Sequence, residues 1–296
     1  MERRHISISA MKRTGLAAAS LAATVLAGAL AATGTAAAAP ADNAPKIIGG
    51  GSAPAYSFMA SIQGGGAEDP TRHRCGGGLI GGDWVITAAH CVTLPGKDGK
   101  PFEIKPVSQF QLRIGSNDRT TGGTLTGVDR IEVHPDYIAS DDRSSGSDLA
   151  LMHLKTKVAQ RPVALAGTAT AAGTPVREIG WGYDDPASAG DYSKLPKLLK
   201  QLDTRTIPGD TPKCVKDPAN GSDAWGIRAG DVCADNPENT LGPCNGDSGS
   251  PLLRWAAGRW EIVGVDSRGV GSTCGTTPDI YTEIHAFRKW VNGVRG

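Results

Sequence analysis

The sequence predicts an all-β fold of the barrel or sandwich class, and three observations carry that expectation. Apolar, β-branched residues come in short runs separated by Gly, Pro, Asn and Asp clusters. Glycine is abundant, 40 of 296 residues, while aromatics make up 5%, which suits many tight turns better than long helices. Helical periodicity is confined to the C-terminal tail.

Taken in order, the first strands are expected at residues 58–63, 78–80, 84–87, 109–114, 124–133 and 149–154, with 94–106 a surface loop marked by Pro-Gly and Asp-Gly pairs. A second set is expected at 175–180, 200–206, 230–234, 251–254, 260–265 and 280–283, with loops at 182–196 and 208–225. In the tail, Ile284, Phe287, Trp290, Val291 and Val294 recur at helical spacing, and basic residues gather toward the end, where they suit the helix dipole. The chain divides near residues 155–162 into halves of similar size.

The N-terminus reads as a secretory signal over residues 1–41. Arg3, Arg4, Lys12 and Arg13 precede an alanine-rich apolar run and small residues through Ala39. Met11 offers an alternative start, and cleavage fits after either Ala39 or Ala41. The run is short of the ~20 apolar residues a membrane span needs. A polar pentapeptide at 42–46 follows, then Ile47-Ile48-Gly49-Gly50; a cut after Lys46 exposes a new α-amino group on Ile47. Formal net charge is +1, so no bulk pull toward nucleic acid or anionic membrane is expected. Six cysteines with no C-x-x-C pair point to three structural disulfides and an oxidising compartment.

Chemistry centres on Pro243-Cys244-Asn245-Gly246-Asp247-Ser248-Gly249-Ser250-Pro251. A serine hydroxyl becomes a nucleophile only with a base to take its proton and donors for the oxyanion it creates. Alone, such a run is an ordinary turn. Two further motifs supply partners: Trp84-Val85-Ile86-Thr87-Ala88-Ala89-His90-Cys91 ends an apolar strand on a histidine, and Ser147-Asp148-Leu149-Ala150-Leu151 places an acid before another.

Together, and in this order, the three motifs resemble the chymotrypsin-like (trypsin-type) serine proteases from Ile47 to the C-terminus, as a secreted bacterial-type member. The resemblance implies two six-stranded antiparallel β-barrels with a C-terminal α-helix. The first barrel is expected at about 47–157, the second at about 158–283 and the helix at about 284–294. It implies Ser248 as nucleophile, His90 as general base and Asp148 as the carboxylate that orients the histidine, with the oxyanion held by the N–H groups of Gly246 and Ser248. It implies activation by a cut after Lys46, with Ile47 pairing Asp247, and disulfides Cys75–Cys91, Cys214–Cys233 and Cys244–Cys274.

The substrate pocket implied by the family involves Gly242, Pro243, Ser267, Arg268, Gly269 and Asp279. Gly242 stands where trypsin-type members carry an aspartate, and Asp279 where most carry glycine, so a basic or mixed preference is expected from across the pocket. Arg268 replaces a tryptophan at the pocket entrance with a charged, flexible chain, and Ser250 replaces a glycine. Asp118 reads as a turn residue, and no metal or cofactor is expected. Expected partners are protein or peptide substrates and protein protease inhibitors, with no nucleic acid or membrane, for a secreted extracellular monomer. The alternatives are a catalytically weak or inactive binding homologue and an esterase on the same fold. No role is expected for His73, His134, His153 or His285.

Overall fold

The computed structural model describes residues 47–65, 69–139 and 146–296. The expected signal and activation peptides lie outside these residues.

Six antiparallel strands close the first barrel: β1 (Met59–Gly65), β2 (Asp69–Leu79), β3 (Trp84–Thr87), β4 (Gln111–Ile114), β5 (Thr124–Val133) and β6 (Ala150–Leu154). They run in the order β1-β2-β3-β6-β5-β4, and β4 closes back on β1. Every residue of β3 is buried, so its Trp-Val-Ile-Thr run is apolar without alternation and forms a rigid rail into the turn that follows.

The second barrel uses β7 (Pro175–Gly180), β8 (Lys200–Ile207), β9 (Asp231–Ala234), β10 (Pro251–Ala256), β11 (Arg259–Gly269) and β12 (Asp279–Glu283). Its order is β8-β7-β10-β11-β12-β9, closed by pairing of β9 with β8. A short strand, Ala164–Leu165, joins β11 in parallel, and Gly51–Ser52 pairs with β8.

The first barrel's core (Ile62, Ile86, Leu112, Leu151) runs on into Leu253 and Ile262 of the second. The C-terminal helix, Ile284–Arg295, seals this core with Ile284 and Val291, with Phe287, Trp290 and Val294 packed at its margin. Burial of these apolar side chains, at roughly 25 cal/mol per Å² removed from water, holds a helix of only about three turns in place.

Several boundaries differ from the sequence reading. The strand expected at 78–80 begins at Asp69, and that at 260–265 extends to Gly269. Both extensions contain glycine or charged residues of low β-propensity, and ladder pairing with neighbouring strands overrides that preference. The loop expected at 94–106 contains a small hairpin, Thr93–Pro95 with Phe102–Ile104. Short helical turns at Ala89–Val92 and Pro212–Val215 also interrupt the sheet.

Candidate active site

His90 sits in the turn directly after β3, where the Cys75–Cys91 disulfide ties it to β2. Its Nδ1 lies 2.7 Å from Asp148 Oδ2, and its backbone N–H donates to Asp148 Oδ1 at 2.9 Å. Both carboxylate oxygens therefore grip one residue. Asp148, just before β6, is buried, while His90 keeps part of its ring open to a cavity of about 450 Å³. Ser248 lines the same cavity.

The loop carrying Ser248 is held by its own backbone. The N–H groups of Asp247, Gly249 and Ser250 donate to Cys244, Asp266 and Asp247, and the Ser248 carbonyl accepts from Gly76 at 2.8 Å. Among the described residues, no acceptor takes the N–H of Gly246 or Ser248. Gly246 has φ +102°, which favours glycine, and a Cβ there would also crowd the Gly182 backbone at 3.1 Å. His73, given no role from sequence, is buried behind this loop. Its Nδ1 meets Ser61 Oγ at 2.8 Å and its Nε2 meets the Gly246 carbonyl at 2.9 Å. Burial lowers its pKa to about 4, keeping the ring neutral.

Asp247 is buried, its carboxylate accepting from Gly182 N–H at 2.7 Å and Cys244 N–H at 2.9 Å. Burial pushes its carboxyl up to about 6. Ile47 is fully buried, its carbonyl accepts from Gly50 N–H, and Ile48 bridges to Gly242.

Of the expected pocket residues, Pro243, Ser267, Arg268, Gly269 and Asp279 line the cavity. Gly242 does not: a Cβ on it would come 3.0 Å from Asp279 Oδ2, so the carboxylate occupies space that a larger residue at 242 would claim. Asp217 and Trp225, read only as loop residues, complete the wall.

Arg268 corrects an expectation. Rather than a flexible chain at the entrance, its guanidinium is buried and donates to the carbonyls of Trp225 and Gly226, to Asp231 Oδ2 and to Ser267 Oγ. The physical reason is Asp231, whose burial inside the second barrel demands a cation.

Two buried acids were also missed. Glu178 lies on β7 between Arg177 and Ile179, and Asp266 on β11 after the apolar run 262–265. Burial, then the Asp266 and Asp247 carboxylates, push Glu178 well above the usual range. Burial, followed by Asp266, Glu178 and Asp247, does the same to Asp279. For Asp266 the available signal was an acid ending an apolar run; Glu178, next to Arg177, gave none.

The three disulfides pair as the resemblance implied: Cys75–Cys91, Cys214–Cys233 and Cys244–Cys274. The last ties the Ser248 loop to the opposite cavity wall.

The trypsin family model matches residues 47–291. A trypsin of Pleuronectes platessa is 33% identical over 252 residues, covering 83% of this chain and 88% of that protein. Among solved structures, neuropsin, a serine protease expressed in the limbic system of mouse brain, aligns with a TM-score of 0.62 at 26% identity, over 81% of this chain and 95% of its own. The human heparin binding protein aligns with a TM-score of 0.62 at 25% identity, over 83% and 96%. With two closed six-stranded barrels and a histidine, an acid and a serine gathered at their cleft, this chain belongs to the trypsin family of serine endopeptidases.

Proposed function

We propose that the protein is a secreted endopeptidase that hydrolyses peptide bonds through an acyl-enzyme on Ser248. The observation that carries this reading is the 2.7 Å contact of His90 Nδ1 with buried Asp148, beside a cavity that His90 shares with Ser248. Asp148 keeps the proton on Nδ1, leaving the Nε2 lone pair to act as base. His90 takes the Ser248 proton as Oγ attacks the scissile carbonyl, and the N–H groups of Gly246 and Ser248 receive the oxyanion. The imidazolium then protonates the leaving amine. Water repeats the sequence on the acyl-enzyme and restores the serine.

In this reading, disulfide bonds and the signal-like leader fit export, and among the described residues no helix is long and apolar enough to cross a membrane. The chain is made as a precursor; a cut after Lys46 frees the Ile47 ammonium to pair with Asp247. Asp279 gives the cavity a carboxylate suited to an Arg or Lys side chain before the scissile bond. Protein substrates and protein inhibitors are the partners of a monomer.

A second reading is a catalytically weak or inactive binding homologue, and a heparin binding protein is among the solved structures that share the fold. Ser248→Ala separates the two. Its kcat on peptide substrates is expected to fall on the order of 10⁶-fold, and covalent labelling by a fluorophosphonate should vanish. A wild-type protein that neither labels nor cleaves after activation would leave the binding reading standing.

A further inference from the structure

The buried arginine is continuous with the histidine–aspartate pair. Arg268 Nη2 meets Asp231 Oδ2 at 2.5 Å, and its Nη1 donates to Ser267 Oγ at 3.0 Å. Ser267 Oγ donates in turn to Asp148 Oδ2 at 2.7 Å, the same oxygen that receives His90 Nδ1–H. A hydroxyl has one proton. Because the guanidinium can only donate, it occupies a lone pair of Ser267, and the hydroxyl proton must point to Asp148.

We propose that Arg268, anchored by Asp231, is a positioning residue for the hydrolysis: it fixes the Ser267 hydroxyl on Asp148 and so holds that carboxylate in register with His90. This rests on the proposed roles of His90, Asp148 and Ser248. Asp148 Oδ2 accepts two hydrogen bonds while Oδ1 is tied to the His90 backbone, so a hydroxyl turned away would loosen the hold of the carboxylate on the ring. A chain of bonds in a buried site also polarises along its length, so the cation draws density from the Asp148 end.

Among the described residues, these charged groups act on the Arg268–Ser267–Asp148 bonds. Asp148 lies at the start of β6, Asp231 on β9 and Asp266 on β11. Asp247 acts on the Asp266 carboxyl, and Lys105, with Arg74 near it, donates to the Cys91 carbonyl next to His90. Arg268 is the cation nearest the Ser267–Asp148 link. Losing it favours the imidazolium of His90, even where Asp231 responds by taking up a proton. Losing Asp231 while keeping Arg268 does the reverse.

The test is the pH profile of kcat/KM for activated wild type, Arg268→Met, Arg268→Lys and Asp231→Asn, each normalised to the fluorophosphonate-titrated site concentration. Arg268→Met is expected to lose about 10- to 100-fold in kcat with KM changed little, and to move the acid limb up by about 0.5 pH unit. Asp231→Asn should move that limb down, and Arg268→Lys should return it to the wild-type position while recovering part of kcat. Normalisation removes misfolded protein from the comparison. The proposal is overturned if both charge-removing variants keep the wild-type limb, or shift it in the same direction. It is equally overturned if Arg268→Met keeps its kcat. Hydrolysis surviving in Ser248→Ala would instead refute the underlying assignment of Ser248, His90 and Asp148.

Discussion

Asp279 and His73 show how burial turns one side chain into a pH-dependent device. Asp279 is pushed well above the carboxylate range by burial and by Asp266, Glu178 and Asp247, so in the proposed basic pocket an incoming guanidinium would have to draw off its proton. If Asp279 reads the substrate as proposed, the ratio of kcat/KM for Arg over Phe substrates is therefore expected to rise as the pH climbs above the ordinary carboxylate range. The proposed general base, His90, cancels from that ratio. Asp279→Gly should abolish the rise and the preference; an unchanged ratio in that variant refutes the basic pocket. His73 runs with the opposite sign on stability. Its folded pKa of about 4 lies below the unfolded 6.5, so its contribution is full above pH 6.5 and is lost as pH falls toward 4. Urea unfolding of His73→Gln should lack about 3 kcal/mol of the acid-side decline seen in wild type.

Where elements meet, close approach decides. Strand β2 passes the Ser248 loop so tightly that a Cβ on Gly76 would lie 1.9 Å from Ser250 Oγ and 3.0 Å from the Ser250 backbone. Ser250 Oγ is itself buried and has no hydrogen-bond partner among the described residues. Gly76→Ala is expected to cost about 2–3 kcal/mol by overpacking. Ser250→Gly alone should cost under about 1 kcal/mol, and the double variant should recover much of the Gly76→Ala loss. Thermal unfolding of all four proteins measures the coupling; strict additivity would show that the contact does not constrain the loop.

Across the whole molecule, the proposed pairing of Asp247 with Ile47 would link the N-terminal segment to the candidate site. Its folded pKa of about 6 exceeds the ordinary carboxylate value. In the uncut chain its stabilising contribution is present below about pH 4 and lost as pH rises through about 6. An Ile47 ammonium would hold it ionised and remove that loss. Lys46→Gln should thus yield an inactive precursor, and at pH 8 it should be about 2–3 kcal/mol less stable than the cut protein. Equal stability at pH 8, or full activity without a cut, would refute the pairing.

Much of this was legible in residue order. Short β-rich runs set the class, the periodicity of Ile284 to Val294 set the terminal helix, and the flanks of His90, Asp148 and Ser248 marked the candidate site. Each is a local pattern, written within one strand, turn or helix face. What only the tertiary structure decided were relations between strands distant in sequence. Strand β2 exceeded its apolar run because ladder pairing overrides weak propensity. Arg268 became a buried link because Asp231, on another strand, leaves it no exit to solvent. Glu178, Asp266 and Asp279 are raised first by burial and then by carboxylates that the fold brings near them. Periodicity reports which face of an element is apolar; it carries no record of which polar group from elsewhere will be folded against it.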